Sequence, residues 1–259
     1  MANFLTLIPL LCGCLFFGML VLMETGRRIG ARRLLTDPEG ARAGAGAVDG
    51  AIFALLGLLI AFTFSGAAAR FDARRHLVVQ EANNIGTAWL RIDLLAADAQ
   101  PLMRDLFRQY LDSRLETYRK LPDIDAARAE LAKSVKLQQE IWTQAVRAGR
   151  ESGSQPANVL LLPALNAMID ITTTRTMSAQ MHPPLIIFVT LAVLALAGAM
   201  LVGFSMAGGK SRSWLHIVGF AAVMAASVYV IIDIEYPRFG LIRVDAIDQV
   251  LVELRQSME

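Results

Sequence analysis

Four apolar runs dominate the pattern of the chain, at residues 4–23, 50–69, 185–205 and 214–232. Each has about 20 residues, enough to cover a hydrocarbon core of roughly 30 Å at about 1.5 Å per helical residue. None contains Asp, Glu, Lys or Arg. A soluble core helix of that length would show a polar face, so the pattern predicts four membrane-spanning helices.

Between the second and third runs lies a polar stretch, residues 70–184, with no period-two alternation of the kind a sheet would need. It begins inside FTFSGAAARFDARRHLVVQEANNIGTAWLR, which starts as the end of a span and finishes as a polar helix. From Phe71 the positions Phe71, Arg75, Val78, Ala82, Ile85, Trp89 and Ile92 step by four and three, a heptad seam apolar except for Arg75. The helix therefore leaves the bilayer near Arg70 without ending, as a rod from Gly50 to about Leu95 on the order of 70 Å long. Asp98 is placed to cap the next helix, with Pro101 in its first turn. Its apolar face carries Leu102, Met103, Leu106, Phe107, Tyr110 and Leu111 and ends near Leu121 and Pro122. Asp123 starts a third helix to about Arg147, with Leu131, Val135, Trp142 and Ala145 inward. A loop over residues 149–155 follows, then a fourth helix capped by Ser154, with Pro156 early in it and a kink at Pro163.

The expected fold class is an all-α membrane protein, four transmembrane helices plus a helical bundle inserted between the second and third, the second span running on into the bundle. The domains read as a first hairpin with a basic loop (1–69), an extramembrane bundle (70–184), a second hairpin (185–232) and a tail (233–259). Pro237 breaks the chain after the fourth span, and Gly240 supplies a turn that returns the tail to the bundle.

Composition adds exclusions. The 259 residues are 55% hydrophobic with a formal charge of +2, and no basic run interleaved with aromatics marks a nucleic-acid groove. Cys12 and Cys14 sit two apart in an apolar run, point to different sides of a helix and read as packing residues. His76, His182 and His216 have no second ligand at metal spacing. No phosphate loop, nucleophile elbow or catalytic triad is visible, so neither an enzyme nor a cofactor is expected. The first run has no basic start and spanning length, so it reads as a retained span rather than a leader.

Four spans put the bundle and both termini on one side of the bilayer. The short loops carry Arg27, Arg28, Arg32, Arg33, Arg42, Lys210 and Arg212, which favours a cytoplasmic position for them and a periplasmic one for the bundle. Arg70, Arg74, Arg75, Arg175, Arg238 and Arg243 lie close to the membrane on the bundle side and pull the other way.

Three constellations stand out. Arg70, Asp72, Arg74 and Arg75 end the second span; Asp233, Glu235, Arg238 and Arg243 end the fourth. Opposite charges at a low-dielectric boundary pair, so Arg70 or Arg74 is expected against Asp233 or Glu235, either as a collar fixing the spans or as an ion vestibule. Glu81, Asn83, Asn84, Thr87 and Arg91 form a polar stripe beside the heptad seam. It reads either as a pore lining or as a satisfied network reaching Asn166, Asp170 and Thr173. Small residues recur every four positions at Gly57, Ala61, Ser65 and Ala69, and at Ala195, Ala199 and Gly203, letting helices approach within a subunit or between subunits. Thr63 and Ser65 are the hydroxyls of the second span.

The motifs Arg70-Phe71-Asp72, Glu81-Ala82-Asn83, Ile85-Gly86-Thr87-Ala88, Asp233, Pro237-Arg238 and Gly240-Leu241-Ile242-Arg243 resemble, in order and spacing, a bacterial membrane family labelled bestrophin-like. The resemblance implies kinship with bestrophin anion channels, which have four spans, a cytosolic helical domain after the second, and an oligomeric pore lined by the second span with a narrow neck. It makes Phe62 and Phe64 neck candidates and Ser65, Arg70, Asp72, Arg74 and Arg75 pore or vestibule candidates. The expected function is an oligomeric, channel-like protein for small ions, with the bilayer and further copies of the chain as partners. The alternative is a membrane-anchored helical sensor or scaffold without a pore.

Overall fold

The computed structural model describes residues 2–37, 45–152, 157–209, 213–242 and 245–259. Every regular element among them is helical. The helices are α1 (Ala2–Thr36), α2 (Ala45–Leu90), α3 (Gln100–Arg119), α4 (Ile124–Ser152), α5 (Leu162–Gln180), α6 (Leu185–Ser205), α7 (Trp214–Glu235) and α8 (Asp245–Gln256). Short 3₁₀ turns follow α2 (Arg91–Leu94) and α6 (Met206–Gly208), and a π turn (Ala157–Leu161) precedes α5. Four helices are long and apolar enough to cross a membrane, one for each apolar run.

The chain divides into two compact units, residues 2–70 with 182–236, and residues 71–181 with 237–259. Helix α2 belongs to both, since its 46 residues continue as α-helix through the boundary.

In the membrane unit, α1 and α6 touch backbone to backbone. A Cβ on Gly203 would lie 1.9 Å from the Met23 carbonyl oxygen, and one on Gly26 would lie 2.0 Å from that of Met200. Only glycine allows this approach. Met19, Leu191, Ala195, Ala199 and Ala221 are fully buried around it.

In the bundle unit, Ile85, Ile92, Phe107, Tyr110, Leu111, Ile141, Leu165 and Leu251 form the centre of the core. The heptad seam of α2 is buried from Val78 to Ile92, whereas Phe71 is half-buried and Arg75 exposed. Helix α8 docks here through Leu251. Arg108 Nε donates to the Met258 carbonyl at 2.8 Å, and Arg255 pairs with Asp112 at 2.7 Å.

Several local expectations are corrected. Helix α1 runs 13 residues past its apolar run, to Thr36, so the first basic loop is short. Asp98 does not cap α3: the cap is Ala99, with no side-chain bond, while Gln100 reaches back to the Leu95 carbonyl at 2.9 Å. Asp123 does cap α4, accepting from the Ala126 N–H at 3.1 Å. That helix extends to Ser152, with Gly149 inside it. Its inward face is Ala127, Ser134, Leu137, Gln138, Ile141 and Ala145; Val135 points out, as does Leu102 of α3. The irregularity at Pro163 is a π turn completed just before it, leaving the proline in the first turn of α5, where its missing N–H costs nothing. After α7, Arg238 takes a left-handed backbone, at φ 88°. Ser154, Pro156, Arg42, Lys210, Arg212 and Arg243 lie outside the described residues.

Candidate functional site

Two separate polar centres and one open helix face emerge. The first centre lies at the ends of the spans in the membrane unit. Arg70 on α2 donates through Nε (2.8 Å) and Nη2 (2.7 Å) to Glu235, which is wholly buried at the last residue of α7. The other Glu235 oxygen lies 3.0 Å from His182 Nδ1, and the His182 ring stacks on Tyr236 at 4.2 Å. Asp233 is buried as well. A carboxylate without solvent must be paired, and here a bidentate guanidinium does it.

Further charges at this exit make contacts of their own. Arg74 Nε donates to the Ser178 carbonyl at 3.2 Å and Nη2 to that of Met181 at 2.9 Å, satisfying the C-terminal end of α5. Asp72 and Arg75 are exposed and pair with each other at 3.3 Å, with Arg75 also over the Phe71 ring. Arg238 belongs to the bundle, bonded to Asp248 at 2.6 Å.

The second centre is inside the bundle. Glu81, fully buried on α2, accepts from Arg114 Nε at 2.5 Å and from Arg175 Nη1. Arg175 also reaches Asp248 on α8 at 3.1 Å. The Tyr118 hydroxyl accepts from Arg114 Nη2, and its ring lies under the guanidiniums of Arg175, Arg114 and Arg238 at 3.7, 5.1 and 5.1 Å. Arg114 Nη1 is buried with no hydrogen-bond partner among the described residues. Burial pushes the Glu81 carboxyl up, but Arg114 and Arg175 pull it down further, so it ends below the ordinary carboxylate value. Burial pushes Tyr118 up, with the surrounding arginines opposing. A neighbouring triad is neutral: Tyr110 and Thr172 share a hydrogen bond of 3.0 Å, and Gln138 donates to both at 3.1 and 2.9 Å. Burial takes Tyr110 to about 12.

The polar stripe therefore splits. Glu81 enters the buried centre, Asn84 donates to the Ala167 carbonyl at 2.9 Å, and Arg91 donates to that of Leu160 at 2.5 Å. Asn83 and Thr87 are exposed. Asn166, Asp170 and Thr173 are exposed too, because α5 turns Thr172 and Arg175 inward instead. Among the described residues, no group of His, Cys, Asp and Glu is placed to hold a metal ion.

The open face is on α2 within the membrane unit. Gly57, Ala61, Ser65 and Ala69 are all exposed, and a Cβ on Gly57 would meet nothing within 4 Å. Phe62 and Phe64 are 67% and 45% exposed. Two residues apart on a helix they diverge by about 200°, so they cannot both face one axis. Thr63 is turned to the buried side, bonded to the Leu59 carbonyl at 2.6 Å.

A family model for the bestrophin-like domain matches residues 11–247. The chain belongs to the bestrophin-like family. No curated protein matches the chain. Two crystal structures of single-substitution variants of a bacterial bestrophin homolog from Klebsiella pneumoniae superpose with a TM-score of 0.68 at 15% identity. They cover 94% and 95% of this chain and 95% and 98% of theirs. A crystal structure described as a membrane protein superposes at 0.67 with 13% identity, covering 94% and 96%. The bestrophin fold therefore extends over nearly the whole chain, as an integral membrane protein that crosses the bilayer several times.

Within this bestrophin-like chain, sequence reasoning missed Arg114, Tyr118, Asp248, His182 and Tyr236. The signal for the first two was present. Tyr110, Arg114 and Tyr118 step by four along the apolar stripe of α3, and a charge on such a stripe needs a buried partner. Arg175 was read as a membrane-edge cation but points into the bundle, 7% exposed.

Proposed function

We propose that the chain forms a closed homo-oligomeric ring in a bacterial inner membrane and conducts small ions along an axis faced by α2, with anions the first class to test. The observation that carries this reading is the unused face of α2. In the apolar stretch of this helix only 17% of positions are buried inside the chain, against 28, 22 and 33% in the other three spans. Small residues gain little against lipid, whereas against another helix they permit close contact. Ser65 stands near the middle of that open face, between Ala61 and Ala69. Membership of the bestrophin-like family supports the channel class, and a pore on a subunit axis needs a closed ring. The arginines of the short loops favour a cytoplasmic position for those loops and a periplasmic bundle, which reporter fusions after Glu259 would test.

The deciding experiment is planar-bilayer recording from purified protein under a salt gradient, paired with crosslinking of Ser65→Cys in a Cys12→Ala, Cys14→Ala background. A ladder of crosslinked copies with current, and a reversal potential shifted toward cations by Ser65→Asp, supports the channel. A particle no larger than a dimer with no current in any salt supports the anchored scaffold instead.

A further inference from the structure

A cavity of about 510 Å³ opens in the membrane unit on the side of the short loops, between the second half of α1, the end of α6 and the start of α7. Its inner wall is apolar: Leu20, Met206 and Ile217, with Gly203 where α1 and α6 touch. Its outer end is charged. Glu24, Arg27 and Arg28 line it immediately after the first apolar run, at the depth where hydrocarbon gives way to headgroups. Trp214, 59% exposed at the first residue of α7, stands at its rim, the amphipathic ring suited to that depth.

The charges do not balance. Glu24 holds Arg27 through two bonds of 3.0 Å and Arg28 through one of 2.8 Å. One carboxylate thus faces two guanidiniums among the described lining residues, a surplus of one positive charge there. Arg28 spends Nε on Glu24, its side chain is 71% exposed, and its Nη groups have no partner among the described residues. Glu24 therefore works as a splint that fixes both arginines on one side of the cavity mouth. A rigid pair of forks suits the oxygens of a phosphate.

We infer that this cavity is a binding site for an anionic phospholipid. The phosphate sits on Arg27 and Arg28, and the first methylenes of an acyl chain run along Leu20, Ile217 and Met206 under Trp214. An apolar recess open to the bilayer fills with lipid whatever the headgroup. The two arginines select an anionic one, at about 30-fold over a zwitterionic lipid for two basic groups at the surface.

The test is quenching of Trp214 fluorescence in vesicles of brominated phosphatidylglycerol or brominated phosphatidylcholine, in a Trp89→Phe, Trp142→Phe background. The preference expected for phosphatidylglycerol is about 30-fold. Arg27→Gln with Arg28→Gln brings it near unity. Arg32→Gln with Arg33→Gln, the same charge removed further along α1 and away from the cavity, leaves it intact. Filling the cavity is tested by Leu20→Phe, which lowers quenching by both lipids. Equal quenching by the two lipids in the unsubstituted cavity overturns the proposal. So does an equal loss from the Arg32 and Arg33 pair, which would mean diffuse attraction only. Displacement of the preference by millimolar inorganic phosphate would assign the site to the free anion and overturn the lipid. Size-exclusion and circular dichroism profiles of each variant identify any that fail to fold, and Arg27→Lys with Arg28→Lys, which keeps the charge, restores the preference.

Discussion

The guanidinium of Arg175 lies 3.7 Å from the centre of the Tyr118 ring, while the same group binds Glu81 and Asp248. One aromatic ring thus gathers arginines from α3, α5 and the turn after α7, and two carboxylates, from α2 and α8, pair with them. The ring quadrupole attracts each cation, by about 0.5–2 kcal/mol depending on desolvation. Tyr118→Phe keeps the face and removes the hydroxyl that accepts from Arg114, at an expected cost of about 1–3 kcal/mol. Tyr118→Leu removes the face as well and should cost more. Chemical unfolding of the detergent-solubilised protein, followed by circular dichroism, orders the two; equal losses would assign the whole effect to the hydroxyl.

Glu81 is the negative centre of that arrangement. Glu81→Gln leaves Arg114 and Arg175 buried without their shared carboxylate, which should cost about 3–5 kcal/mol. The pH dependence has a definite sign. The Glu81 carboxyl is held below its ordinary 4.5 in the folded protein, so its contribution is complete above that value and is lost as pH falls through the folded one. Unfolding measured between about pH 6 and 3 should show a drop confined to the acid end. Glu81→Gln should start lower and show a smaller drop, and a drop of unchanged size would place the acid sensitivity in other carboxylates.

The spans, the continuation of α2 and the helical bundle were legible because each rests on a long periodic signal. Apolar length marks the spans, and the four-three spacing from Val78 to Ile92 marks the seam. What was not legible depends on rotation about a helix axis. Val135 and Leu102 are apolar but face outward, since Leu137, Ile141 and Leu106 already define the inner faces. Arg175 and Thr172 face inward where Asp170 and Thr173 were expected to. A helix of mixed composition such as α5 gives no dominant stripe, so partners decide its rotation, and those partners come from α2, α3, α4 and α8. Tyr236 and His182 meet only because α7 ends beside the start of α6, a proximity that no local motif encodes.

Two glycines separate packing inside the chain from packing between copies. Gly203→Ala puts a methyl 1.9 Å from the Met23 carbonyl, against backbone that cannot rotate away. It should destabilise the membrane unit by roughly 1–3 kcal/mol or more. Gly57→Ala meets nothing within 4 Å in the chain and should leave its fold unchanged. Gly57→Trp should also preserve helix content but reduce the assembled state, if that face meets another copy. Sedimentation in detergent alongside thermal unfolding reads both effects. An unaltered assembly in Gly57→Trp would remove the face of α2 from the interface.

Arg238 combines a cost and a gain that substitution can separate. Its φ of 88° is left-handed, a conformation costing a non-glycine residue about 1–2 kcal/mol. Its side chain, 10% exposed, offsets this by bonding Asp248 at 2.6 Å and covering Tyr118. Arg238→Gly relieves the backbone and loses both contacts. Loss of a largely buried ion pair outweighs the relief, so the net change should be a destabilisation of about 1–3 kcal/mol. With Asp248→Asn already present, the ion pair is gone and the backbone relief remains, so adding Arg238→Gly should cost under about 1 kcal/mol or even stabilise. A double-mutant cycle in unfolding free energy measures the difference. Equal costs in both backgrounds would mean that Arg238 is held by the Tyr118 face rather than by Asp248, and the cycle repeated on Tyr118→Leu would then carry the coupling.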